Sequence, residues 1–282
     1  MSLDQAPATT VRRPLGALEK LFRLADRNRP MHFVIAAEVD GSTQITQWQD
    51  ALDRVCRQSA LIWSRIVLDK RGEPVFEPVP HGSIPLHVVE NAMPEWTTHV
   101  ARQLDQTFNT SRGPLLRAAL LHGVNRSVIV LCVHHSIADG LALSFLMRDV
   151  LRVFAGESVR LSAETASIED LVASQRGASA LPQAEATQAA RAPMPYPQLD
   201  GSTPLEEAAR LTRKTTRCLR ERARIERSTL HGALCAALTA AAATLASDWS
   251  DVPLRVLTPI DVRRRMLNGS EHLGVCLTAA IL

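Results

Sequence analysis

From Val128 to Val133 the chain is apolar at six consecutive positions, with no polar alternation to mark a solvent face. Such a run predicts a strand in the middle of a sheet covered on both sides. The segment after this strand then emerges at the sheet's end, where a loop can hold chemistry on a rigid base. Beyond that loop Leu143, Leu146, Met147, Val150, Leu151 and Phe154 fall on one side of a helix predicted over 141–154, which Ala155-Gly156 ends. Upstream, Arg13-Pro14-Leu15 reads as the entry to a helix with Leu15, Leu18, Leu21 and Phe22 at helical spacing, and residues 1–13 as a loose tail. His32 to Val39 predicts a strand, Gly41-Ser42 a turn, and Ile45 to Arg57 a helix with Trp48, Leu52 and Val55 on one side. Ile62 to Leu68 and Val75 to Val79 predict a strand pair across Lys70-Arg71-Gly72. A helix is predicted next, over about 95–107. A strand from Leu115 to Leu121 is then joined to the apolar strand by Gly123-Val124-Asn125.

Between Ala178 and Pro204 the composition turns to Ala, Gln, Pro and Gly, with four prolines from Pro182 to Pro197. No packed element forms from such a stretch, so it reads as a crossover linker. Past it, Leu211 to Leu219 alternates as a strand, Ser228 or Thr229 caps a helix reaching Ala246, and Leu254 to Pro259 and Leu273 to Leu282 are strand-like. The prediction is an α/β fold of the α+β type, with a mixed sheet flanked by helices over 14–177, a linker over 178–203 and a second unit over 204–282.

Composition adds bounds rather than direction. At 282 residues, 46% hydrophobic and 22% charged, the chain has the make-up of a globular protein and not of a disordered one. The net charge of +3 is too small to argue for nucleic acid, and the arginines cluster only at Arg263-Arg264-Arg265 and along Arg210 to Arg227. Such a cluster suits either a solvated surface or the phosphates of a pantetheine-bearing carrier. The five cysteines, Cys56, Cys132, Cys218, Cys235 and Cys276, are odd in number, far apart and mostly in apolar runs, so they read as reduced core residues. The N-terminus has no basic-then-apolar signal pattern, and the Gly232 to Ala246 run has too many small residues for a membrane span. The expected location is the cytoplasm.

Candidate chemistry concentrates in His134-His135-Ser136-Ile137-Ala138-Asp139-Gly140, between the apolar strand and the amphipathic helix. A chance match to His-His-x-x-x-Asp-Gly at this composition arises in about one such sequence in a thousand. Adjacent residues at a strand end point to opposite sides, so the two histidines do not clasp one metal ion, and His135 with Asp139 lacks a third obvious ligand. General base work fits better: imidazole can take a proton from a hydroxyl or amine and return it to a leaving thiolate, provided its other nitrogen is fixed by a hydrogen bond. No Gly-x-Ser-x-Gly elbow, His-Glu-x-x-His, Gly-x-Gly-x-x-Gly or phosphate-binding loop competes with it.

This motif resembles the signature of nonribosomal peptide condensation domains and the chloramphenicol-acetyltransferase-like acyltransferase superfamily. The type most resembled is the stand-alone enzymes similar to phthiocerol dimycocerosyl transferases or wax ester synthases. Arg13-Pro-Leu-Gly-Ala-Leu-Glu-Lys-Leu-Phe22 with Arg29-Pro-Met-His32 is similar to their opening, Ser111-Arg-Gly-Pro-Leu-Leu-Arg117 to the segment before the motif strand, and Thr258-Pro-Ile-Asp261-Val-Arg263 to their Asp-x-Arg segment. The resemblance implies an acyltransferase of the chloramphenicol-acetyltransferase-like fold, with His135 as catalytic base. It implies that His134 supports the loop, that Gly140 permits a close turn, and that Asp139 forms a structural ion pair with Arg263, tying two halves together. The substrates it implies are an acyl thioester of coenzyme A or of a phosphopantetheinyl carrier protein and a small alcohol or amine, with no tightly bound cofactor. Relatives have two halves of comparable size, so the resemblance also implies that 204–282 is a truncated second half. It lacks their Asp-Phe-Gly-Trp-Gly-like segment and has Gly274-Val275 where many have Gly-Asn, so it reads as a shortened form, as a fragment completed by a C-terminal half on another chain, or as a relative that binds without catalysing. A peptide-bond-forming condensation domain and a non-catalytic docking protein of the same fold are the rival readings.

Overall fold

The computed structural model describes residues 11–90, 96–160, 166–176, 210–245, 256–266, 271 and 273–281. The linker expected over 178–203 and the first ten residues lie outside them. Two compact units result. The first takes its described residues from Met1–Glu206 and Asp261–Leu277, the second from Glu207–Ile260 and Thr278–Leu282.

The first unit is built on a four-stranded mixed sheet. Strand β2 (His32–Asp40) lies antiparallel to β7 (Arg126–His134), β7 antiparallel to β6 (Leu116–His122), and β6 parallel to β5 (Leu86–Glu90). β7 is thus an interior strand, and its period-2 geometry explains its unbroken apolar run. Ile129, Leu131 and Val133 enter one core with Trp48, Leu52 and Val55 of α2 (Ile45–Cys56) and Leu143, Leu146 and Val150 of α4 (Gly140–Phe154). Val128 and Val130 enter a second core with Val100 of α3 (Trp96–Asp105). Trp48 also stacks on Phe154, with ring centroids 4.0 Å apart.

A smaller antiparallel sheet places β4 (Pro74–Pro78) between β1 (Arg13–Pro14) and β3 (Ser64–Leu68). The tail read over 1–13 is therefore corrected at its end: Val11 is buried in the core and Arg13 pairs with Phe76. Helix α1 (Ala17–Ala25) starts two residues later than Leu15 suggested. Its entry is fixed by Glu19, whose carboxylate accepts the Gly16 N–H at 2.7 Å and grips Arg13 through two bonds of 2.7 Å. Helix α5 (Ile168–Arg176) lies against this entry, with Glu169 accepting the Leu18 N–H at 3.1 Å.

One glycine before β6 is a steric requirement. Gly113 stands at φ +62°, and a Cβ there would lie 2.4 Å from the backbone oxygen of Ser64. Gly113→Ala is expected to destabilise the first unit by more than about 1 kcal/mol, read as a lower denaturation midpoint, because φ is unfavourable and the obstacle is backbone.

In the second unit α6 (Arg213–Ile225) and α7 (Leu230–Leu245) meet at 99°, followed by β8 (Leu257–Asp261); the short helix α8 (Arg263–Met266) belongs to the first unit, and β8 pairs with β9 (Leu277–Ile281). The strand predicted over 211–219 is a helix instead. Thr212 caps it by accepting the Thr215 N–H at 3.1 Å, and Arg222 pairs with Glu226 four residues on, a spacing that helices alone bring together. Among the described residues no single helix is long and apolar enough to cross a membrane. All five cysteines are free, but only Cys56, Cys132 and Cys276 are buried. Cys218 is exposed and Cys235 half-exposed, which corrects the expectation of five core thiols. Burial pushes the Cys132 and Cys276 thiols up to about 12.

Candidate active site

β7 ends at His134, and α4 begins at Gly140, so His135 to Asp139 form the turn between the central strand and the helix packed upon it. The strand's pleat sends the two histidine rings apart. His134 is fully buried, whereas His135 is half-buried.

The His135 backbone N–H donates to the Met31 carbonyl at 2.8 Å, extending the β2–β7 pairing by one residue. Its ring lies parallel to Phe22 of α1, with centroids 4.1 Å apart, and at 44° to Phe33 of β2 at 4.6 Å. Nδ1 is 3.0 Å from the Ala138 carbonyl oxygen. A carbonyl can only accept, so Nδ1 carries the proton of the neutral ring and Nε2 is left with its lone pair. Burial pushes the imidazole pKa below its ordinary 6.5, outweighing the opposing effects of the Ala138 carbonyl and the Asp139 carboxylate.

Asp139 caps α4 by accepting the Ala142 N–H at 2.9 Å. Its two oxygens also accept from Arg263 Nη1 and Nη2 at 2.9 and 3.0 Å, and Oδ2 accepts the Cys276 N–H at 2.8 Å. Arg263 continues to Asp261 Oδ1 at 2.7 Å and the Gly274 carbonyl at 3.1 Å. Both charged side chains are nearly sealed, with 5% of Asp139 and 3% of Arg263 exposed. Burial works against the guanidinium charge, but Asp139 holds the Arg263 pKa above its ordinary value. The whole pair lies inside the first unit, to which 261–277 belongs.

His134 Nδ1 accepts the Ser136 N–H at 3.2 Å, and Ser136 Oγ donates to the Glu19 carbonyl at 3.0 Å, anchoring the turn to α1. The reading of Gly140 is corrected. Its φ is not positive and a Cβ there would meet nothing within 4 Å, so the turn does not need glycine; the residue is the exposed first position of α4. Several site residues escaped the sequence reading. Phe22 and Phe33 were visible only as apolar positions of a helix and a strand, Ala138 contributes backbone alone, and Asp26 lies just past a helix end with no motif around it.

The chain spans only a few per cent of the curated relatives it resembles. It is 24% identical over 158 residues to surfactin synthase subunit 2 of Bacillus subtilis, covering 55% of this chain and 4% of that one. It is 32% identical over 126 residues to chondramide synthase cmdD of Chondromyces crocatus, covering 42% and 3%. Among solved structures, polyketide synthase associated protein 5 from Mycobacterium tuberculosis superposes with a TM-score of 0.63 at 18% identity, over 99% of this chain and 67% of that one. The first condensation domain of the CDA synthetase superposes with a TM-score of 0.67 at 18% identity, over 97% and 71%. Residues 200–268 match the family described as phthiocerol/phthiodiolone dimycocerosyl transferase C-terminus. The condensation domain family matches residues 24–189, more than half of the 282, and with β7, the histidine turn and α4 all inside that span the chain belongs to the condensation-domain family.

Proposed function

We propose that this chain is an acyltransferase that moves an acyl group from a thioester of coenzyme A or of a carrier-protein pantetheine to a hydroxyl, with His135 as general base. The observation that carries this reading is the Nδ1 bond to Ala138, because it leaves Nε2 as the ring's proton acceptor. In the reaction Nε2 takes the acceptor's proton as its oxygen attacks the thioester carbonyl. A C–O bond forms and a tetrahedral oxyanion results. Its collapse breaks the C–S bond, and the leaving thiolate takes the proton back from Nε2.

The match of 200–268 to a dimycocerosyl transferase, whose name gives an alcohol acceptor, favours a hydroxyl. The similarity of the first part to peptide synthetases keeps an amine acceptor as the second reading. Mass spectrometry of products from an acyl-thioester panel offered mixed alcohols and amines separates the two. Ester products support the proposal, amide products alone move it to peptide-type condensation, and neither product from folded protein overturns both.

The pH dependence has a defined sign. The base works deprotonated, and its pKa lies below 6.5, so the acidic limb of kcat/KM should have its midpoint below pH 6.5. Phe22→Ala, by letting water reach the ring, should move that acidic limb upward toward 6.5. A limb above 6.5 in the unsubstituted protein would contradict the buried neutral base.

A further inference from the structure

One carboxylate behind the histidine turn has no part in the acyl-transfer chemistry, yet it reaches the supports of both histidines. Asp26 lies just past α1, and its Oδ1 accepts the Met31 N–H at 2.7 Å, closing the loop between α1 and β2. The Met31 carbonyl is the acceptor of the His135 N–H. On the other side, Asp26 Oδ2 stands 3.5 Å from Nε2 of His134. Because His134 Nδ1 accepts from Ser136, the proton of the neutral His134 ring is on Nε2, which makes no hydrogen bond and has the Asp26 carboxylate as an electrostatic neighbour.

We propose that Asp26 is a positioning residue for His135. It fixes the His135 backbone through Met31, and through His134 and Ser136 it fixes the turn that carries the His135 ring. Asp26 touches no reacting atom, and the proposal rests on the reading of His135 as base. The other titratable or charged groups around the pair are His32 on β2, Arg117 on β6 beyond it, and His135 itself. Burial alone would raise the Asp26 carboxyl pKa, but the nearby His134 ring and the bond from the Met31 N–H hold it below the ordinary carboxylate value, so the anion persists at neutral pH.

Two variants separate the two contacts. Asp26→Asn keeps an oxygen for Met31 but sets an amide N–H₂ against the His134 N–H, while Asp26→Ala removes both contacts. Long-range ¹H–¹⁵N spectra of the full chain labelled with ¹⁵N-histidine read the ring tautomers without any turnover. In the unsubstituted protein His134 is expected as the Nε2–H form and His135 as the Nδ1–H form. Asp26→Asn should change the His134 pattern, and Asp26→Ala should turn the single His135 pattern into a mixture. In steady-state assays kcat should fall about tenfold in Asp26→Asn and about a hundredfold in Asp26→Ala, with the KM for thioester within about twofold, as expected when a reacting group is misplaced and binding is not. Unchanged histidine spectra in both variants, or a loss carried by KM with kcat intact, would overturn the proposal. Should Asp26→Ala fail to fold, Asp26→Asn decides alone. A His135→Ala enzyme with full turnover would sink the base reading instead, while the spectra would still report whether Asp26 holds the two rings.

Discussion

His135→Ala should lower acceptor-dependent thiol release by about 10²- to 10⁴-fold, the range a positioned general base supplies. The ring also packs between Phe22 and Phe33, so alanine removes bulk as well as a base. His135→Gln is the paired variant, since it keeps much of the volume and a group able to bond Ala138 but offers no comparable proton acceptor. Both variants should lose turnover, with glutamine closer to the parent in its denaturation midpoint. Loss of less than about threefold in either, in folded protein, would place the proton transfer on another group or on water.

Asp139→Ala should act through the scaffold. The substitution leaves the Arg263 guanidinium buried without its bidentate partner, strips the cap from α4 and orphans the Cys276 N–H. Breaking a buried pair from one side costs about 3–5 kcal/mol, which is a large share of a domain's stability. Denaturation followed by the fluorescence of Trp48 and Trp63, both buried in the first unit, should show a much lower midpoint, with activity lost in parallel. Exchanging both partners for apolar residues of similar volume should recover part of that stability, because the buried guanidinium goes with its partner and the only charge to lose a contact is that of the part-exposed Asp261. An unchanged midpoint in Asp139→Ala would mean the pair contributes nothing net.

The parts of the fold that were legible in the sequence are those dictated by burial period. β7 was readable because an interior strand is apolar on both faces, and α4 because six apolar positions share one helical side. The motif turn was readable because it lies between those two elements. β5 escaped because Leu86–Glu90 alternates weakly and gains its place by parallel pairing with β6, a long-range fact. α6 was misread because its Leu and Thr positions mimic a period of two, although its Thr cap and Arg222–Glu226 spacing already favoured a helix. In the site, the Asp139–Arg263 pair was anticipated only through resemblance, because nothing local to 263 indicates a partner 124 residues away. The aromatic walls of His135 and the Asp26 contacts come from α1 and β2. They become neighbours of the turn only when β2 pairs with β7, and no spacing in the sequence encodes that.

Direct attack assisted by His135 is tested most directly by thiol release from acyl-coenzyme A and acyl-carrier thioesters by the folded chain, with and without added alcohol acceptor, next to His135→Ala. Release is expected to rise with acceptor concentration, to yield one acylated acceptor per thiol, and to disappear in the variant. Release independent of acceptor, equal in both proteins, or absent from a folded chain across the panel would contradict that mechanism.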